Sequence, residues 1–190
     1  MDRTEEQAVI ERARKDPKAF EPIFDKYYSA IFRYAMHRTG NAAVAGDIAA
    51  ETFFKALNKL HTYRVTAAPF SSWLYRIASN EASYYFRRRK YEPASYDAAI
   101  EEGGLPEPVS RADVEKEYME AQEAADRNRD FLKAKELISK LPLLYQEVLV
   151  LRFLEDKKIC EIAEILGKRE GTIKSLISRG VEKLRKGFKP

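Results

Sequence analysis

Hydrophobic residues recur at helical spacing along most of this chain, and no segment alternates with the two-residue period of a strand. The pattern predicts an all-α protein without a sheet. Near the N-terminus, Thr4 and Gln7 match a capping box for a first helix that ends near Lys15. Asp16 followed by Pro17 then indicates the start of a longer helix.

Two more helices are predicted in the first half of the chain. The longer helix should end at Gly40, because glycine suits a C-terminal cap. A further helix is expected over residues 43–60, and a loop containing Pro69 separates it from a helix over residues 71–90. The inward stripe of the helix over residues 43–60 is expected to be Ala49, Phe53, Ala56, Leu57 and Leu60.

The second half of the chain ends in two short helices broken at Gly167. Upstream, Pro142 separates residues 137–141 from an amphipathic helix bearing Leu144, Val148, Leu151 and Leu154. The inward residues of the two short helices are predicted to be Ile159, Ile162, Ala163 and Leu166 in the first, and Ile173, Ile177, Gly180 and Leu184, with Leu176 at the edge, in the second.

A tight turn between two such helices is the helix-turn-helix arrangement, which presents its second helix to a DNA major groove. The open face of that helix carries short hydroxyl and long cationic side chains, which reach base edges and phosphates together. An ordinary helical hairpin with a solvated charged face has the same periodicity and stays open as an alternative.

Charge is distributed in three blocks, although the net charge of the chain is only +4. Residues 1–91 have a net charge of +6, residues 92–130 of −8 and residues 131–190 of +6. Proline and glycine are frequent in the acidic block, which is typical of a linker. We therefore expect domains over 1–91 and 131–190, joined by a 92–130 linker that avoids polyanions. Ser110 and Asp113 could cap a helix running towards Arg129.

The composition excludes several classes of site. A single cysteine rules out an internal disulfide framework and a cysteine-rich zinc site, and Cys160 is expected to be buried beside Ile159 and Ile162. No apolar run is long enough to span a bilayer, and the charged first fifteen residues do not match a secretory signal. We expect a cytoplasmic protein that needs no cofactor or metal and does not insert into membranes.

Aromatic and basic residues are combined in the segment over residues 70–90. Trp73, Ile77 and Tyr84 share one face and are expected in the core. The remaining aromatic rings precede four consecutive cations at residues 87–90, an arrangement that suits single-stranded nucleic acid. A packed aromatic helix with a solvated basic end is the alternative, since cations also favour helix C-termini.

The helix over residues 43–60 has a different outward face. Asp47, Glu51 and Lys55 lie across from its inward stripe, and Ile48 and Phe54 flank them. Carboxylates bordered by outward apolar side chains suit a protein interface better than DNA. An exposed face stabilised by a Glu51–Lys55 pair is the simpler alternative.

These segments, in this order, resemble the extracytoplasmic-function (ECF) sigma factors, the promoter-specificity subunits of bacterial RNA polymerase. DIAAETFFKAL resembles the family's helix that docks on core polymerase, which implies Asp47, Ile48, Glu51 and Phe54 as interface residues. FSSWLYRIASNEASYYFRRRK resembles the promoter-melting segment, and the C-terminal residues resemble the family's helix-turn-helix domain. The acidic segment resembles the connector that threads through polymerase.

The resemblance implies three partners: core polymerase, promoter DNA in duplex and single-stranded form, and an anti-sigma factor. Within the C-terminal domain, the residues implied at the minus-thirty-five element are Arg169, Thr172, Lys174, Ser175, Ser178 and Arg179. Within the N-terminal domain, the residues implied at the minus-ten element are Trp73, Arg76, Asn80, Arg87, Arg88, Arg89 and Lys90. Asn80 is the candidate for reading an extruded base, with Trp73 and Arg76 supporting its pocket.

Departures from the family pattern fall in both domains. Ala50 stands where the family usually has glutamine, Leu176 and Val181 where cations are common, and Gly180 where alanine is frequent. A conventional helix-turn-helix repressor or activator remains a rival interpretation and predicts dimeric binding to paired half-sites. An enzyme is disfavoured, because only His37 and His61 are present and no phosphate loop or metal-ligand cluster is evident.

Overall fold

A computed structural model describes residues 1–91 and 129–188 of the chain. All regular secondary structure in these two ranges is helical, so the all-α prediction is confirmed. The predicted acidic linker, including the candidate helix after Ser110, lies outside the described residues except for its last two positions. Within the two described ranges, no helix is both long enough and apolar enough to span a bilayer.

Four α-helices build the N-terminal half. They are α1 (Arg3–Ala13), α2 (Glu21–Thr39), α3 (Ala42–Asn58) and α4 (Phe70–Tyr91), with short 3₁₀ helices at Pro17–Phe20 and Leu60–Thr62. Helices α2, α3 and α4 pack around an aromatic core in which Phe53 contacts the rings of Phe20, Phe24 and Tyr28. These rings belong to a buried apolar cluster that continues into the C-terminal half.

The helix termini follow local chemistry, with one correction to the sequence prediction. The first capping box is formed by Asp2 and Glu5, not by Thr4 and Gln7, and Asp2 Oδ1 accepts from the Glu5 amide at 2.9 Å. Aspartate is as good an N-cap as threonine and stands two residues earlier, so the helix begins there. Asp16 caps the 3₁₀ helix that leads into α2. Gly40 ends α2 at φ +67°, as predicted.

The described C-terminal residues, 129–188, form four further α-helices. They are α5 (Arg129–Ser139), α6 (Leu143–Leu149), α7 (Ile159–Leu166) and α8 (Glu170–Phe188). A π-helical turn over Val150–Leu154 follows α6, and the Glu155 amide donates to the Val150 carbonyl at 3.0 Å. The apolar interior of the C-terminal half is formed by side chains that are almost fully buried, namely Val148, Leu149, Leu151, Ile162, Ile165 and Ile173.

Three details of this half differ from or sharpen the sequence prediction. Cys160 is exposed rather than buried, because it follows Ile159 by one residue and so points about 100° away from the inward stripe. Leu144 is also exposed. Gly180 is buried against Leu149, and a Cβ there would lie 3.1 Å from Leu149 Cδ1. The glycine therefore allows α8 to approach α6 closely.

The turn between α7 and α8 requires glycine for a different reason. Gly167 has φ +61°, and a Cβ there would meet nothing closer than Arg76 Nη2 at 3.9 Å. Replacing Gly167 by alanine should therefore lower the free energy of unfolding by about 1–2 kcal/mol through backbone strain alone. Urea denaturation followed by circular dichroism measures this change.

Gly171 is the matched control, because it lies in α8 without positive φ and with open space around its Cβ position. Gly171→Ala should raise the stability by up to about 1 kcal/mol through helix propensity. If Gly167→Ala and Gly171→Ala changed the free energy of unfolding equally, the explanation by backbone strain at Gly167 would be wrong.

Candidate nucleic-acid interface

The start of α8 is fixed by the turn that precedes it. Lys168 N donates to Ala163 O at 3.0 Å across Gly167, which closes α7 with a left-handed residue. The amides of Thr172 and Ile173 then donate to Arg169 O at 2.9 and 3.1 Å. The beginning of the second helix is thereby held at a defined angle to the first.

The side chains of α8 divide into two faces as predicted. Ile173 is buried, Ile177 and Leu184 are half-buried, and Gly180 contacts Leu149. Ser175 is half-buried, and the other predicted minus-thirty-five residues are exposed: Arg169, Thr172, Lys174, Ser178 and Arg179. Hydroxyl and cationic groups thus share the open face, which can donate hydrogen bonds to base edges and phosphates.

Leu176 explains one departure from the family pattern. Its side chain is buried, with 9% exposed, and packs in the core of the C-terminal half. A cation at this position would have to leave that core or be buried with it. The leucine is therefore a structural residue of this chain and not a lost DNA contact.

A pocket opens beside the N-terminal end of α4. It has a volume of about 230 Å³, and Tyr63, Thr66, Ser72, Trp73 and Arg76 belong to its lining. The rings of Tyr63 and Trp73 lie 5.2 Å apart and form one aromatic wall. Sequence reasoning placed Trp73 and Arg76 at a pocket but missed the contribution of the loop over residues 62–69. The signal was a polar loop that ends in Pro69 directly before an aromatic helix.

Asn80 does not line this pocket. It is exposed on α4, one turn beyond Arg76. Arg87, Arg88 and Arg89 are exposed at the end of the helix, whereas the side chain of Lys90 lies outside the described part. The outward side of α4 can therefore follow a nucleic-acid strand from the pocket to the basic end.

Tyr84 was expected in the core with Trp73 and Ile77, and this prediction is wrong. Its side chain is 55% exposed, while Ile77 is buried and Trp73 is half-buried. The buried apolar residues of α4 are Phe70, Leu74, Tyr75, Ile77, Ala78 and Ala82. Their arc leaves Tyr84 on the outward side, next to the basic residues.

The outward face of α3 also needs one correction. Asp47, Glu51 and Phe54 are exposed, Phe54 to 63%, but Ile48 is buried with only 5% exposed. Ile48 directly precedes Ala49 of the inward stripe and belongs to the core, so it does not flank the acidic residues as predicted.

The ion pair between Glu51 and Lys55 is present. Lys55 Nζ lies 3.1 Å from Glu51 and 2.6 Å from Glu81 of α4. Both hydrogen bonds help to raise the pKa of Lys55. The lysine therefore anchors the acidic face of α3 to α4.

Sequence reasoning missed a set of polar contacts between the two halves. Glu155 accepts a hydrogen bond from the Tyr75 hydroxyl at 2.8 Å and pairs with Arg33 Nη2 at 3.1 Å. Its side chain is fully buried, and this burial raises its pKa although Arg33 and Tyr75 favour the charged form. Lys157 Nζ lies 4.2 Å from the Tyr75 ring centroid, and burial lowers the pKa of Lys157.

A second buried carboxylate bridges the same two halves. Glu147 accepts hydrogen bonds from the Tyr34 hydroxyl at 3.3 Å and from Ser79 Oγ. The sequence signal was a glutamate inside the apolar run over residues 143–151, in phase with its buried residues. An isolated buried carboxylate is unfavourable, so partners from elsewhere in the chain were required.

Comparison with known proteins assigns a family to both halves. The model of "Sigma-70 region 2" matches residues 23–91, and the model of "Sigma-70, region 4" matches residues 131–184. The ECF RNA polymerase sigma factor SigW of Bacillus subtilis is 32% identical over 178 residues, which cover 93% of both chains. The RNA polymerase sigma-H factor of Pseudomonas aeruginosa is 31% identical, covering 98% of this chain and 95% of that protein.

The ECF RNA polymerase sigma factor BldN of Streptomyces coelicolor is 30% identical over 177 residues. These residues cover 93% of this chain but only 63% of that relative. Two solved structures of complexes share the fold. The sigma factor RpoE bound to the anti-sigma factor NepR from Bartonella quintana has a TM-score of 0.63, 22% identity, and coverage of 90% of this chain and 96% of that one. CnrH bound to the cytosolic domain of CnrY has a TM-score of 0.62, 20% identity and coverage of 94% and 93%.

Because Leu176 is buried, replacing it with a cation tests why this chain has leucine where the family often has a cation. Leu176→Arg should lower the stability by about 2 kcal/mol or more, because it removes a core side chain and brings a charge towards the core. Thermal unfolding measures the loss. Glu182→Arg, on the exposed side of the same helix, should leave the melting temperature nearly unchanged. Tighter DNA binding by a fully stable Leu176→Arg variant would contradict the structural role.

Proposed function

The chain belongs to the ECF RNA polymerase sigma factors, and from this membership we propose how its residues divide the work of promoter recognition. The exposed face of α8 reads the minus-thirty-five element as duplex. The pocket and the outward side of α4 hold the minus-ten element after strand separation. The acidic face of α3 binds core polymerase. The observation that carries this proposal is that three chemically distinct surfaces lie on three separate helices.

The C-terminal contact rests on α8. Arg169, Lys174 and Arg179 supply charge for phosphates or guanine acceptors, and Thr172, Ser175 and Ser178 supply short hydroxyl groups. A recognition helix contacts base edges with its N-terminal residues. The position of Thr172 and Lys174 in the first turns of α8 supports the same orientation here.

The minus-ten contact rests on the pocket beside α4. Extruding a base costs a few kcal/mol of stacking and pairing, so a site must hold the base once it leaves the duplex. The aromatic wall of Tyr63 and Trp73 and the Arg76 guanidinium suit one nucleobase. Asn80 lies one turn further along the strand path and has both donors and an acceptor for a second base edge. Arg87, Arg88, Arg89 and Lys90 hold the backbone.

The polymerase contact rests on α3. Asp47 and Glu51 repel DNA, and exposed Phe54 beside them offers an apolar anchor for a protein surface. Ile48 supports this face from the core side. We also propose an anti-sigma factor as a partner, since the similar RpoE structure contains one, and the cytoplasm as the site of action, where polymerase meets the chromosome. No cofactor is needed for these steps.

Separate surfaces predict separable defects. Lys174→Ala with Arg179→Ala should weaken promoter binding at least tenfold while the affinity for core polymerase survives, because each lost base or phosphate contact is worth about 1–3 kcal/mol. Asp47→Ala with Glu51→Ala should have the reverse effect. Filter binding of promoter DNA to the chain saturated with core polymerase, and fluorescence titration of core polymerase, measure the two affinities.

Lys186→Ala is the control for the first pair, because Lys186 is an exposed α8 cation that pairs with Glu182 at the far end of the helix. Its promoter affinity should change little. If both variant pairs lost both affinities equally without unfolding, the division of labour would be wrong.

The pocket and Asn80 make distinguishable contributions at the minus-ten element. Arg76→Ala should reduce transcription from all promoters of a library, because the pocket wall is lost. Asn80→Ala should instead relax the base preference at one position. In vitro transcription from promoters randomised over the minus-ten element, followed by sequencing of the transcripts, separates these outcomes. An unchanged preference profile for Asn80→Ala would exclude Asn80 as a base reader.

A further inference from the structure

The C-terminal half contacts one side chain, Arg76, of the surface with which the N-terminal half is proposed to hold the minus-ten strand. Arg76 donates from Nε to the main-chain oxygen of Glu164 at 3.0 Å, and its Nη2 lies 3.8 Å from the Glu164 carboxylate. Glu164, at the end of α7, also lines the pocket. An acceptor of the C-terminal half thus occupies the guanidinium that a nucleic-acid strand would use.

Two buried carboxylates lie at the contact between the halves, beside the apolar residues of both halves that form one buried cluster. Glu147 and Glu155 lie in the C-terminal half, and the partners given above for each come from α2 and α4. Glu155 contacts Tyr75 and Glu147 contacts Ser79, and both partners lie close to Arg76 along α4. The same glutamates would be solvated if the halves separated, so their side chains stabilise the contact between the halves rather than either core.

The contact between the halves also places the two DNA-reading surfaces too close together to reach both promoter elements at once. Thr172 follows Glu164 by eight residues, which span at most about 29 Å, so the Arg76 guanidinium lies within about 40 Å of the α8 side chains. Elements numbered minus-ten and minus-thirty-five are about 85 Å apart along a duplex, at 3.4 Å per base pair. Bringing their contacts within about 40 Å would need far more than the bends of about 40–90° that DNA-bending proteins produce.

We propose that this structure is a self-inhibited closed state, in which Glu147 and Glu155 latch the C-terminal half over the minus-ten pocket. Promoter recognition requires the latch to open. The connecting segment 92–128 is long enough for this, since its extended length reaches about 120 Å. The inference rests on the proposed function for what the covered surface does, but the latch itself is a property of the free chain.

A charge swap tests the latch. Arg33→Glu should open the chain, because it sets a carboxylate against buried Glu155, and Glu155→Arg should open it by the opposite repulsion from Arg33 and Lys157. Combining both substitutions should restore closure at least in part. Arg12→Glu, a charge reversal on the exposed side of α1, is the matched control and should stay closed.

Opening is measured in the full chain without polymerase or DNA. Cys160 is exposed and is the single cysteine, so adding Ser29→Cys on the exposed side of α2 provides a pair of dye sites for energy transfer. Transfer should be high in the otherwise unchanged chain, low in each single charge reversal and recovered in the swap. Circular dichroism checks that the helices persist. Unchanged transfer in Arg33→Glu and Glu155→Arg would overturn the latch.

Transcription with purified bacterial core polymerase tests inhibition separately. The open variants should start transcripts at least threefold faster than the unchanged chain at limiting sigma concentration, and the swap should reverse the gain. Open variants with unchanged rates would overturn self-inhibition while the proposed function stands. A chain that closes as described but never directs transcription would overturn the proposed function, whereas the latch would be supported by the energy-transfer result.

Discussion

Helix α4 has three sides in three different environments, and the rest of the structure depends on this arrangement. Leu74, Ala78 and Ala82 bury one side in the N-terminal core. Tyr75 and Ser79 donate hydrogen bonds to carboxylates of the C-terminal half. Asn80, Tyr84 and the arginines leave the third side polar, aromatic and basic. A 22-residue helix can serve three environments because successive residues turn by about 100°.

The contact between the halves has a polar and an apolar part, because the buried apolar residues of both halves form one continuous cluster. Burial raises the pKa of Glu155 despite the attraction of Arg33, so desolvation offsets much of the energy of that ion pair. A closed state favoured by about 1.4 kcal/mol would lower the apparent affinity for polymerase or promoter about tenfold. The buried carboxylates therefore add less to the stability of the contact than their hydrogen bonds alone suggest, and they are the part of it that a charge reversal can weaken.

Local sequence patterns predicted most of the fold because the signals are local. The helix positions, the Gly40 cap and the two faces of α8 follow from spacing and turn chemistry. The errors fall at the borders of stripes, where one residue changes the direction of a side chain by 100°. Ile48 and Cys160 each adjoin the inward stripe and were placed on the wrong side of its edge. Tyr84 was assigned to the core from its spacing to Ile77, but Ile77 lies at the edge of the buried stripe with 9% exposed, and Tyr84 lies just beyond that edge.

The part of the site that could not be predicted is non-local. The partners of Glu147 and Glu155 lie 68 to 122 positions away in sequence, and no periodicity connects them. The two basic halves meet in part through these buried carboxylates, which face hydroxyl groups and cations of the N-terminal half. The placement of single acidic residues within basic domains therefore decides which surfaces are free to bind DNA.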